Sequence, residues 1–300
     1  MLFLIVLFAA LIALYFWPIP KRSFEKLSPK VAKDSSQSLL DFRKNNPLKT
    51  ININNFAWNY ISLGEATETI LFLHGMTGAY DIWWQQIEAL KSDYRIISVS
   101  YPAVDSLEEL SQGVLQILQA ENIAKVKVLG SSLGGYLAQY LLAKYPQIIT
   151  QAVFANSFPP NQIIIQKNKK LGALLPYLPP WLILKTLRKN FREKVYPSSA
   201  NDELTLAYML EQSYGRMSKA QVIGRFQAVV EYFAPNTEPN IPIMIIEADN
   251  DPLVEEQLRE KIKKTYPTAI VHTMHDVGHF PYLNRAEEYT SYLKDFFAAN

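Results

Sequence analysis

Hydrophobic and polar positions fall into three regimes along the chain. The first seventeen residues, Met1 to Trp17, carry no charge and no strongly polar side chain. Pro18 and Pro20 end that run, and Lys21 and Arg22 follow. As a helix the run is roughly 25 Å long, the short end of a bilayer span. A cleaved signal peptide needs a basic start and a small-residue cleavage site. This run has neither, and it ends on Tyr15, Phe16 and Trp17. The pattern therefore predicts an N-terminal transmembrane anchor over 1–20, with the membrane as partner. Lys21, Arg22, Lys26, Lys30 and Lys33 crowd the following flank. By the positive-inside rule they put that flank, and the domain behind it, in the cytoplasm. Residues 21–49 are rich in Lys, Ser, Asn and Pro, with a weak apolar pattern at Leu39, Leu40 and Phe42, and they read as a tether.

From Thr50 the period shortens. Ile51, Ile53, Phe56, Trp58, Tyr60 and Ile61 alternate as strands do, which predicts a hairpin turning near Asn54–Asn55. Apolar strands are expected at Thr69–Leu73, Tyr94–Ser98, Val126–Leu129, Ala152–Ala155, Ile243–Ile246 and Ala269–His272. Helical patterns fall at Leu107–Leu118, Leu133–Lys144 and Ala286–Phe297. Strands alternating with such helices mean βαβ units, a mostly parallel central sheet and helices on both faces, here as one domain over 50–300. The rhythm breaks once. Between Ala155 and Ile243 there is no strand signal, only helical ones such as Leu171–Leu187, interrupted by Pro176, Pro179 and Pro180. A crossover is normally far shorter, so residues 157–240 read as an inserted helical lid. Its apolar side chains, Leu171 to Leu184, and the basic Lys185, Arg188 and Lys189 fit either a lipid-like acyl pocket or packing of the lid on the sheet.

Composition removes other classes. The chain is 49% hydrophobic and 19% charged, with a net charge of +2 and no cysteine. That excludes a disordered chain, a collagen-like repeat and a polytopic membrane protein, and it offers no electrostatic footprint for nucleic acid. Disulfides, thiolate metal sites and cysteine nucleophiles are excluded together. No phosphate loop or dinucleotide fingerprint occurs, so neither a cofactor nor a metal is expected.

The candidate chemistry lies at strand ends. Gly130-Ser131-Ser132-Leu133-Gly134 joins a strand to a helix, the GxSxG setting in which a strained turn lifts a serine above the sheet. Spacing selects Ser132, not Ser131, as nucleophile. The helix start offers the N–H of Leu133 to a developing oxyanion. His74-Gly75-Met76-Thr77-Gly78 follows the strand ending at Leu73, and its Met76 N–H is the second candidate donor; His74 itself reads as a buttress. Asp249 and Asp251 follow a late strand, and either can orient an imidazole; Asp251, before Pro252, is preferred over Asp249. His279 follows the last strand, completing the chain order Ser…Asp…His. His272 and His275 read as surface or packing residues.

With the elbow, the His74-Gly75 loop, the Asp251 loop and the Gly278-His279-Phe280-Pro281-Tyr282 segment in this order, residues 50–300 resemble an α/β-hydrolase. Tyr101-Pro102 before an acidic helix start, Gly-Ser-Ser-Leu-Gly-Gly, Ala155-Asn156-Ser157-Phe158 and Phe280-Pro281-Tyr282-Leu283 are most similar to the maspardin branch. The resemblance implies hydrolysis of an ester, thioester or similar acyl bond in a small-molecule substrate, through Ser132, His279 and Asp251. In the maspardin branch binding rather than catalysis is proposed, so a non-catalytic binding scaffold is the alternative. The hydrophobic N-terminal run is an addition to that branch.

Overall fold

The computed structural model describes residues 1–160 and 162–299. Eight strands form one sheet: β1 (Lys49–Ile53), β2 (Phe56–Leu63), β3 (Thr69–Leu73), β4 (Arg95–Ser100), β5 (Val126–Ser131), β6 (Ile149–Ala155), β7 (Ile243–Ala248) and β8 (Ile270–Met274). Their spatial order is β1-β2-β4-β3-β5-β6-β7-β8. β1 and β2 form the expected hairpin, and β2 also pairs antiparallel with β4. Asn54 and Asn55 turn it with φ of 49° and 67°, the left-handed pair that matches strand twist in a two-residue turn. All remaining pairs are parallel.

Alternation builds two cores. Ile70 and Phe72 of β3 point into one apolar cluster, Leu71 and Leu73 into another on the opposite face. Helices α4 (Leu107–Ala120), α5 (Leu133–Lys144) and α10 (Glu256–Thr265) supply the second cluster. Helices α2 (Lys33–Asn45), α3 (Trp84–Leu90) and α11 (Ala286–Ala298) supply the first. Between β6 and β7 the described residues contain no strand. They form a helical cap of α6 (Gln162–Leu174), α7 (Pro180–Asn190), α8 (Glu203–Glu211) and α9 (Lys219–Val230), with short helical turns between. Pro176 and Pro179 part α6 from α7, and Pro180 opens α7 where its missing N–H costs no bond.

Two N-terminal expectations need correction. Helix α1 (Leu2–Tyr15) has 14 residues, about 21 Å of rise, against the roughly 30 Å of a hydrocarbon core. Among the described residues no helix is long and apolar enough to cross a membrane, so the single-pass anchor expected over 1–20 is not supported. The cause is local: Pro18 pushes Trp17 out of the helical region, and the helix stops short. Its side chains contribute nothing to the core.

Nor are residues 21–49 a tether. Phe24, Leu39 and Phe42 are buried in the first cluster. Arg43 reaches Asp81 (2.6 Å) and Glu211 (2.7 Å), and Arg216 meets the same acids at 2.9 and 3.2 Å. Asp81 also accepts from Tyr208 at 2.6 Å. Burial pushes the Asp81 carboxyl up, but Arg216 and Arg43 outweigh it and hold it well below the usual range. This four-charge clasp ties the N-terminal arm to the cap. Weak periodicity hid it, because a few apolar anchors and one ion network replace a continuous apolar stripe.

The clasp and α1 predict opposite outcomes. Deleting residues 1–17 should leave the urea unfolding free energy within about 1 kcal/mol, since only peripheral contacts are lost, chiefly those of Trp181 with the Leu14 carbonyl and of Lys219 with Tyr15. Arg43→Ala should cost about 3 kcal/mol by leaving buried carboxylates short of a partner. Equal effects would show that the arm does not brace the fold.

Candidate active site

The turn from β5 into α5 is where the backbone is most constrained. Ser132 sits at φ 55° and ψ −120°, a conformation that L-residues rarely hold. Close approach enforces it. A Cβ on Gly130 would lie 2.1 Å from the Gly134 carbonyl oxygen, and one on Gly134 would lie 2.0 Å from that of Leu73. No side chain fits at either place, so the turn can press against β3 only with glycine on both flanks. The Ser132 N–H donates to the Ala155 carbonyl at 2.9 Å, and its own carbonyl accepts from Ser157 Oγ at 2.8 Å. The serine is partly exposed, while Leu133 behind it is buried.

The loops after β7 and β8 meet beside this turn. Asp251 Oδ2 lies 2.7 Å from His279 Nδ1, and both side chains are almost fully buried. Asp251 Oδ2 also accepts from Asn156 Nδ2 at 3.0 Å, and its Oδ1 accepts from the N–H groups of Leu253 and Val254 at 2.8 and 3.1 Å. Burial pushes its carboxyl up, but the His279 imidazole and these donors outweigh that and hold it below the usual range. An ionised Asp251 fixes the proton of His279 on Nδ1, which leaves Nε2 as the basic nitrogen. Among the described residues neither Nε2 nor Ser132 Oγ has a hydrogen-bond partner; such bonds are often open without substrate. Asp249 is engaged elsewhere, at 2.6 Å from the exposed His275. The two acids two residues apart thus serve two different histidines.

The His74–Gly78 loop closes over the serine. A Cβ on Gly75 would sit 3.2 Å from Ser132 Cβ. His74 Nδ1 donates to the Gly75 carbonyl at 2.6 Å, and its Nε2 accepts from Tyr101 N–H at 3.3 Å. Burial, helped by Arg225, pushes His74 well below its usual range, so it is a neutral strut. The Met76 N–H donates to nothing among the described residues, and that of Leu133 stands in the first turn of α5 without an intrahelical acceptor.

The supporting roles of three residues escaped sequence reasoning. Asn156, at φ 43°, bridges Asp251 and the Gly278 carbonyl. Asn250 Oδ1 accepts from Gly278 N–H at 2.9 Å, fixing the His279 loop. Arg225 of the cap donates to the carbonyls of Met76 (2.8 Å) and Gly78 (3.1 Å). An asparagine directly after a strand was the available signal for Asn156; nothing local marks Arg225. A crevice of about 740 Å³, lined by Lys30, Ser199, Asp202 and Arg285 among others, touches none of Ser132, Asp251 and His279. No group of three metal-ligating side chains stands together among the described residues.

A family model for the alpha/beta hydrolase fold matches residues 68–286. The chain belongs to the α/β-hydrolase family. It is 27% identical over 265 residues to maspardin of Danio rerio, which covers 84% of this chain and 83% of that protein. It is 26% identical over 262 residues to human maspardin, covering 84% of each. It is 24% identical over 260 residues to Lipase 1 of Psychrobacter immobilis, covering 77% of each. Among solved structures, a hydrolase from Pseudomonas aeruginosa PA01 superposes with a TM-score of 0.69 at 19% identity, covering 84% of this chain and 98% of that one. The enol-lactonase of Burkholderia xenovorans LB400 gives 0.70 at 14% identity, covering 83% and 100%. Such distant structures share the fold. In this hydrolase fold the strained serine should be measurable as lost stability. Ser132→Gly should raise the unfolding free energy by about 1 kcal/mol, whereas Ser132→Ala should not. Equal values for the two variants would show that the turn stores no strain.

Proposed function

We propose that this chain is a serine hydrolase that cleaves an ester, thioester or similar acyl bond in a small-molecule substrate. The observation that carries the reading is the buried Asp251–His279 pair, whose Nε2 is left free at the same sheet edge as the strained Ser132. In this reading Nε2 of His279 takes the proton of Ser132 Oγ as the oxygen attacks the acyl carbon. Asp251 holds the tautomer and stabilises the imidazolium. The N–H groups of Met76 and Leu133 receive the oxyanion. His279 then returns the proton to the leaving group. Water, deprotonated by the same imidazole, clears the acyl-enzyme. A serine at the elbow supports acyl transfer rather than the aspartate-based chemistry that opens epoxides on this fold. The names of the lipase relatives and the enol-lactonase agree with acyl substrates. Met76 packs against an apolar cluster of the cap that includes Leu175, Ile183 and Met217, which supports an apolar acyl group beside the oxyanion donors.

The test separates the two acids. Asp251→Asn should reduce turnover of a short-chain ester by about 10⁴-fold, as loss of the orienting carboxylate does in other triads. Asp249→Asn should leave turnover within about threefold, because its partner is a surface histidine. The reverse ranking would show that the acid is misassigned. Folded wild type without any turnover would favour the binding scaffold that similarity to maspardin suggests.

A further inference from the structure

Arg225 is a buried cation without a counter-ion. It lies on α9 and is 3% exposed. Among the described residues no carboxylate pairs with it, and the nearby Asp81 and Glu211 face Arg43 and Arg216 instead. Burial pushes it down to about 10, which leaves it charged at neutral pH. Packing alone would need only a long apolar side chain here, and a desolvated charge is a costly way to fill the space. What an apolar side chain cannot do is hold carbonyls of two loops at once. The guanidinium does that: Nη1 donates to Met76 (2.8 Å) and Gly78 (3.1 Å), and Nη2 donates to Tyr101 (3.0 Å).

The first two carbonyls belong to the loop over the serine. Residues 75–78 form a turn, closed by the Gly78 N–H on the Gly75 carbonyl at 3.2 Å. His74 Nδ1 holds the same Gly75 carbonyl at 2.6 Å. In a trans peptide the next N–H points away from the carbonyl before it, so that bond aims the Met76 N–H. It leaves the outer half of the turn free to swing about Gly75. Arg225 removes that freedom by pinning the Met76 and Gly78 carbonyls from the cap. Met76 thus stands between two fixed carbonyls, one held by His74 and one by α9. The tolerance is small, because a Cβ on Gly75 would lie only 3.2 Å from Ser132 Cβ, and a misplacement of about 1 Å costs about 10² in rate.

We propose that Arg225 is a positioning residue through which the cap sets the direction of the Met76 N–H toward the oxyanion. The inference rests on the hydrolase reading of Ser132. It adds that the cap is part of the oxyanion machinery and not only a cover. A cap whose α9 moves away from the sheet releases the outer half of the turn and disarms the donor. Closure over a substrate restores it, so cap position and transition-state stabilisation are coupled through one guanidinium.

Steady-state turnover of a short-chain ester by the full-length protein, with inhibition by phenylboronic acid, tests the role. Arg225→Met keeps an apolar stem and removes every donor. Its kcat should fall about 10²-fold, the scale of a lost oxyanion donor, while KM stays within about threefold. Affinity for the boronate, whose tetrahedral adduct on Ser132 uses the same donors, should fall in step. Arg225→Lys, a point charge without the fork, should lie between, and it decides the matter if Arg225→Met does not fold. The pH profile of kcat should keep its shape in both, since the base is untouched. Gln221→Met removes another bond of α9, to the Tyr101 carbonyl at 3.0 Å, and should change kcat less than about threefold. Arg225 variants as active as a turning-over wild type overturn this role and leave the hydrolase reading standing. An equal loss in Gln221→Met also overturns it, because α9 would then only hold the cap in place. An inert, folded wild type removes the hydrolase reading and this role together.

Discussion

The fold and the candidate chemistry both depend on one close approach. The turn from β5 to α5 folds so tightly on itself at Gly130 and against the end of β3 at Gly134 that only glycine fits at either place. That contact forces Ser132 to a positive φ and lifts it above the sheet edge. It also seats the start of α5 against the Gly75 loop, so the Leu133 and Met76 N–H groups share one space with the serine. A Cβ at either glycine would separate the sheet from its helix and the serine from its donors in one step.

Around this point the polar groups are wired by the backbone of neighbouring strands rather than by the triad alone. β6 lies between β5 and β7, and the residue that follows it, Asn156, reaches the carboxylate after β7 and the loop after β8. Parallel order thus turns three strand ends into one polar cluster. The cap adds a second layer through Arg225, which grips the loop over the serine from the outside. The N-terminal arm closes the assembly through Arg43 and the acids of the cap. The arm, the cap and the sheet are therefore braced by charges that sit far from the serine.

The sheet was legible because its signal is local. β3, α5 and β7 are dominated by apolar residues, and their bounds lie within two residues of the periodic pattern. The Asp251–His279 contact was legible from motif order, although spacing alone left Asp249 open; only geometry shows that His275 occupies it. The arm over 33–45 was not legible. It contributes two buried residues, Leu39 and Phe42, and an arginine whose partners are 38 and 168 positions away. No local pattern encodes such a bond. Arg225 was hidden for the same reason, since its acceptors are backbone carbonyls more than 120 residues earlier. The reading of Met1–Trp17 as a span failed on length: proline chemistry at Pro18 cut the helix at Tyr15.

The central claim is that Ser132 is a nucleophile activated by His279. Labelling by a fluorophosphonate probe tests it most directly, because the probe needs the serine, the base and the oxyanion donors but no knowledge of the substrate. Folded wild type should be labelled at Ser132, Ser132→Ala should not be labelled, and His279→Asn should react far more slowly while keeping its thermal midpoint. Folded wild type that stays unlabelled, or labelling that persists in Ser132→Ala, would contradict the account.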